Sequence, residues 1–201
     1  VVLEGWECAR GTPPDKARWY SLRLIRKGSP WAFAHGEPFR VISSLEMMAT
    51  LVCVMIFVPV SEHTRGKLIL GRPTASTDNK GNSHVAQRLM TSKFPLCAFL
   101  MELTLQLEKR DLPLLLHWAP REQKDEADAL TNMDLSAFDP SKRIDVKEDA
   151  LKFIMLDELL THGASLYSQS AEIRAEMKKN AASLRPVKLA KDKRLKVTDP
   201  W

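Results

Sequence analysis

The sequence predicts an α/β fold, a mixed sheet flanked by helices, followed by a helical, basic C-terminal extension. Three observations carry that expectation. Segments of β-type and helical pattern follow in the order strand, strand, helix, strand, helix, helix, strand, helix, which calls for an antiparallel start and later crossovers. Residues 39–57 repeat apolar side chains at helical spacing. The stretch Ala75-Ser76-Thr77-Asp78-Asn79-Lys80-Gly81-Asn82 reads as a strand end turning into a helix. It sets a carboxylate at the carboxyl edge of a sheet, where open α/β sheets hold their sites.

Taken in order, residues 1–7 are β-branched and apolar around Trp6, a strand. Gly11-Thr12-Pro13-Pro14 is a turn. Residues 17–25 alternate, with Trp19, Ser21, Arg23 and Ile25 on one parity, and pair antiparallel with the first strand. Residues 27–38, with two prolines and two glycines, form a loop. In the helix over 39–57, Ile42, Leu45, Ala49, Val52, Cys53 and Ile56 make a wide apolar face, and Glu46 sits inside it. A loop over 59–66, the β-type run Leu68-Ile69-Leu70 and a turn at Gly71-Arg72-Pro73 lead to Asp78. Residues 83–90 are a short helix. Pro95 suits the first turn of the next helix, which runs to about Lys109 with Phe99, Leu103 and Leu107 as its stripe. On that helix Glu102 and Glu108 read as solvated charges. Residues 112–118 read as a buried strand, 120–122 as a turn and 122–130 as a helix.

A boundary follows near Asn132, giving a body over 1–132, a helical extension over 133–184 and a basic tail over 185–201. Within the extension, residues 133–143 are a loop. Asp145 and Glu148 form a D-x-x-E cap for a helix over 150–160 with Leu151, Ile154, Met155 and Leu159 on its apolar side. Gly163 is its expected stop, and a further helix over 165–183 ends before Pro186.

Composition bounds the function. With 44% hydrophobic and 27% charged residues, the chain has globular proportions, and its 201 residues suit one domain plus an appendage. The longest apolar run, 51–60, falls short of the roughly 20 residues of a bilayer span, so no membrane partner is expected. Cys8, Cys53 and Cys97 lie far apart with no C-x-x-C spacing, which argues against a zinc site or a disulfide framework and for a reducing, intracellular compartment, cytoplasm or nucleus. No signal-peptide pattern opens the chain; it begins Val-Val without Met, as a piece of a longer polyprotein would. Between 172 and 196 nine basic residues face three acidic ones, a net +6 in a chain whose total is +5. The body is therefore nearly neutral and the tail basic, which suits a phosphate backbone or an acidic partner, or a solvated end.

Three carboxylates from three elements stand out: Glu46 on the first helix, Asp78 at a strand end, and Asp128 on the helix after the last strand, with Asp125 as the fallback one turn away. A carboxylate inside an apolar face must be paired, here with Arg40, or bound to a metal. Clustered carboxylates without His or Cys suit hard divalent cations such as Mg²⁺. Two such ions about 4 Å apart activate water and stabilise the leaving oxygen in phosphodiester cleavage. Lys80, Asn82 and Arg121 are placed to touch phosphate or sugar, or serve as plain turn residues. His117 and Trp118 read as strand residues, Trp118 as core or as a surface that stacks on a sugar.

These residues resemble the ribonuclease H domain of retroelement reverse transcriptases, within the ribonuclease H-like superfamily. Leu45-Glu46-Met47-Met48-Ala49 is similar to that family's first-helix motif, and Thr77-Asp78-Asn79 to its strand-end motif. His117-Trp118-Ala119-Pro120-Arg121-Glu122 and Ala127-Asp128-Ala129-Leu130 resemble its last strand, turn and helix. The resemblance covers about residues 1–132 and implies Glu46, Asp78 and Asp128 as catalytic metal ligands for two Mg²⁺ or Mn²⁺ ions. It implies cleavage of the RNA strand of an RNA–DNA hybrid, with Asn79, Lys80, Asn82 and Arg121 at the nucleic acid and a reverse transcriptase domain upstream. Two departures accompany it. The family's first strand, with its Asp, would lie before Val1, so the sheet is expected to lack that strand; Glu4 or Glu7 is the local substitute. Lys124 stands where many relatives carry Asn. The competing expectation is a catalytically incomplete module of the same fold that binds nucleic acid or connects domains.

Overall fold

The computed structural model describes residues 1–7, 13–34, 38–58, 60, 74–120, 129, 132 and 134–183. Two compact units divide the chain, 1–164 and 165–201. The first contains two small sheets and the helices packed on them, so the mixed α/β class is as expected.

Strands β1 (Val2–Glu7) and β2 (Arg18–Arg23) form the antiparallel pair, with Gly5 opposite Tyr20. Alternation divides their side chains between two faces. Leu3, Tyr20, Leu22 and Leu24 enter the main core. Trp6 and Trp19 point the other way and pack with Phe138. The Trp19 Nε1–H donates to the Asp139 carbonyl at 2.9 Å. A short third strand, β5 (Arg143–Ile144), joins β2 in parallel, so the segment after residue 132 adds to the first sheet.

Helix α1 (Ile42–Phe57) follows a 3-10 turn at Pro38–Val41. It buries Leu45, Met47, Met48, Leu51, Val52 and Val54, while Ile42 stays half exposed. At about 1.5–3 kcal/mol per buried large side chain, this helix is the largest single contributor to the core. Its partner is α3 (Leu96–Arg110), with Phe99 and Leu103 buried as the stripe predicts. Gly5 is required where β1 crosses α1: a Cβ there would run into Cys53 Sγ and the Tyr20 ring.

The second sheet is a parallel pair, β3 (Thr74–Thr77) and β4 (Leu115–Trp118), with Thr77 opposite Trp118. The expected buried strand over 112–118 is shorter and more open: Leu116 is buried, but Leu115, His117 and Trp118 are exposed. Helix α2 (Lys80–Arg88) begins three residues before its expected start, because Asn79 caps it. The run at 68–73 and the helix over 122–128 lie outside the described residues.

The last helix departs most from expectation. Residues Glu148–Ala150 form one 3-10 turn, and α4 (Leu156–Ser183) starts later and runs through Gly163. Gly163 is there for a close approach, since a Cβ would meet the Phe94 ring. Its first turn is capped by Glu102, which is fully buried rather than solvated. Among the described residues no helix is long and apolar enough to cross a membrane.

Candidate functional site

The end of β3 meets the first half of α1 and the start of α2 in a compact polar cluster. Thr77 is the buried end residue of β3, and its hydroxyl donates to Glu46 Oε2 at 3.5 Å while accepting from the Asn79 backbone N–H at 3.1 Å. Asn79 Nδ2 donates to Ser43 Oγ at 3.0 Å, and its Oδ1 accepts from the Asn82 N–H at 3.2 Å, the bond that caps α2. Asn82 is 1% exposed; its Nδ2 donates to the Ser43 carbonyl at 2.9 Å and to Glu46 Oε2 at 3.3 Å. Ser83 ties α2 to β4 by donating to the Leu116 carbonyl at 3.2 Å.

Each part of this cluster has a local cause. A Thr followed by turn residues closes the chain on itself, and Asn is a strong helix N-cap. Glu46 lies one turn beyond Ser43 on α1, so both face α2. The carboxylate is thereby oriented by two donors from the β3–α2 connection. Asp78 comes next after Thr77 and is exposed. Its backbone carbonyl accepts the Trp118 Nε1–H at 3.0 Å, which fixes the indole beside it. The Lys80 ammonium lies 5.8 Å from the centroid of that ring.

The sequence-predicted residues thus divide. Glu46 and Asp78 come to one strand end, although Thr77 is the residue that touches Glu46. Lys80 is exposed beside Asp78. Asn79 and Asn82, expected at the nucleic acid, spend their side chains inward on Ser43 and Glu46. Asp128, its fallback Asp125, and Arg121 lie outside the described residues. The local substitutes for an upstream Asp point elsewhere: Glu4, next to the α1-facing Gly5, turns to the opposite face, and Glu7 pairs with Arg18. Trp118 is a surface residue, not the core residue one reading made it, being 46% exposed.

The donor chemistry of Glu46 and Asp78 is that of hard oxygen ligands, and it fits a divalent cation such as Mg²⁺. Asn82 Oδ1 is buried with no hydrogen-bond partner, an acceptor that a metal-bound water would satisfy. Among the described residues, no three His, Cys, Asp or Glu side chains form a metal-holding group. Burial pushes the Cys53 thiol, beside the Tyr20 hydroxyl, up to about 11 and keeps it protonated near neutrality. Comparison with family models, curated proteins and solved structures finds no match to this chain.

Proposed function

We propose that this chain is part of a ribonuclease H-like, metal-dependent endonuclease that hydrolyses the RNA strand of RNA–DNA hybrids within a retroelement reverse transcriptase polyprotein. The observation that carries this reading is the meeting of Glu46 and the Thr77-Asp78 strand end, with Asn82 and Thr77 holding the Glu46 carboxylate. Glu46 and Asp78 would hold Mg²⁺ or Mn²⁺, with Asp128 as a third ligand. When bound, two such ions supply an activated water and neutralise charge on the leaving oxygen. The chain's own part is to orient Glu46 from two sides, present Asp78 to solvent, and set Lys80 where a phosphate would pass.

Among the described residues β1 and β3 each pair on one side only, and one further strand between them would complete a single mixed sheet over α1.

A second reading, a catalytically incomplete module of this fold that binds nucleic acid or connects domains, draws on the inward hydrogen bonds of Glu46 and on the exposed setting of Asp78. Cleavage of a labelled hybrid with Mg²⁺ or Mn²⁺ separates the two. The assay compares this chain with a form extended upstream by a strand, each with Asp78→Asn, Glu46→Gln and Asn82→Ala. The nuclease reading expects cutting by the extended form. Asn82→Ala should lower it about 10–100-fold, as loss of an outer partner does, and the two carboxylate variants should lower it further. Binding without cutting by either form leaves the module; neither binding nor cutting overturns both.

A further inference from the structure

Resting on the nucleic-acid reading above, we propose that Trp118 and Lys80 form a nucleotide platform at the mouth of the site. The indole stacks on a sugar–base unit of the bound strand, and the ammonium pairs with the adjoining phosphate. Trp118 ends β4 with 46% of its surface exposed, two residues after Leu116, which is 1% exposed on the same face. The face that begins as core therefore finishes as an open aromatic surface next to Asp78. An exposed large aromatic beside a candidate site is a recognition feature, since its area gains nothing by facing water.

The ring is already immobilised. Its one polar atom, Nε1, is used on the Asp78 carbonyl at 3.0 Å, so what remains for a ligand is the π surface. Stacking on a π surface tolerates any base, and a ring held in place loses little freedom on binding. Lys80 sits 5.8 Å from the ring centroid, attracted to it and exposed. The ammonium lies over one face of an exposed aromatic, which leaves the other face for a base and keeps a positive charge within reach of the adjoining phosphate. The same carbonyl that fixes the indole belongs to Asp78, so a nucleotide seated on Trp118 has its neighbouring phosphate beside the proposed ligand.

The test measures binding of labelled RNA–DNA hybrid, DNA duplex and single-stranded RNA to the full chain by fluorescence anisotropy, in EDTA, with folding checked by circular dichroism. Trp118→Leu should weaken hybrid binding about tenfold, and Trp118→Phe, which keeps a ring, should stay within about threefold. Lys80→Met should weaken all three ligands alike and lower the salt slope by about one. In the wild type, saturating hybrid should protect Trp118 from N-bromosuccinimide, located by peptide mass. Equal binding by Trp118→Leu, an unprotected Trp118 in the complex, or no binding by the wild type overturns the platform. Trp118-dependent binding without metal-dependent cleavage by the upstream-extended form keeps the platform and sinks the nuclease; cleavage by that form with Trp118-independent binding does the reverse.

Discussion

Glu4 is a carboxylate with both oxygens buried. Burial pushes its pKa up, against a smaller pull from the Ser21 hydroxyl and the Arg143 guanidinium. A raised carboxylate pKa means the folded state binds the proton more tightly than the unfolded chain. Stability from this group is therefore greatest below the ordinary value of 4.5 and declines as pH rises through the folded value. Glu4→Gln should raise the urea midpoint at pH 7 and leave it nearly unchanged at pH 4; an equal gain at both would show that charge burial is not the cause. Asn82 and Trp118 show the limit of residue-level reading. Thr-Asp-Asn-Lys-Gly-Asn announces a turn at the edge of a sheet. Which amides face inward depends on where α2 starts, and Asn79 fixes that by capping it. Trp118 has a core residue's composition, and only the short open end of β4 exposes it.

Helix α3 clamps two other helix ends through one row of side chains, Glu102, Gln106 and Arg110. Glu102 accepts the N–H groups of Ile154, Met155 and Leu156 at 2.9, 2.8 and 3.1 Å, along with Gln106 Nε2 at 2.7 Å. Gln106 Oε1 accepts from Arg110, whose guanidinium also donates to the Val58 carbonyl at 2.7 Å. A carboxylate thus sits at the N-terminus of α4 and a cation at the C-terminus of α1, each the sign that a helix end favours. Glu102→Ala would strand several buried donors and should lower stability by about 3 kcal/mol, with Glu102→Gln losing about half of that. Urea denaturation measures both, and a loss under about 0.5 kcal/mol would mean that water replaces the carboxylate. This cap explains the misplaced start of the last helix. Asp145 and Glu148 have capping spacing, yet the acceptor that serves α4 comes from about fifty residues earlier, beyond any local pattern. The spans of α1 and α3 were legible from sequence to within three residues, but α1 buries Met47, Met48, Leu51 and Val54, outside the face its spacing marked, and leaves Ile42 half exposed.

At the scale of the molecule, the sequence places a boundary near Asn132, but the compact unit runs on to Ala164. Phe138, Arg143–Ile144 and Leu156 add to the body through Trp19, β2 and the main core, packing that no stretch of sequence displays. Past Ala164 the described part of α4 is exposed almost throughout, including Leu166, Ile173 and Met177. This division predicts separate roles. A chain ending at Ala164 keeps the core and the Glu102 cap, so its urea midpoint should match that of the full chain. It lacks the +6 segment over 172–196. If that segment meets a phosphate backbone, hybrid binding should weaken and the slope of log affinity against log salt should fall by about 0.9 for each phosphate that is no longer neutralised. An unchanged slope would confine nucleic-acid binding to the body, where Lys80 and Trp118 lie. A lowered midpoint would mean instead that the second unit braces the first.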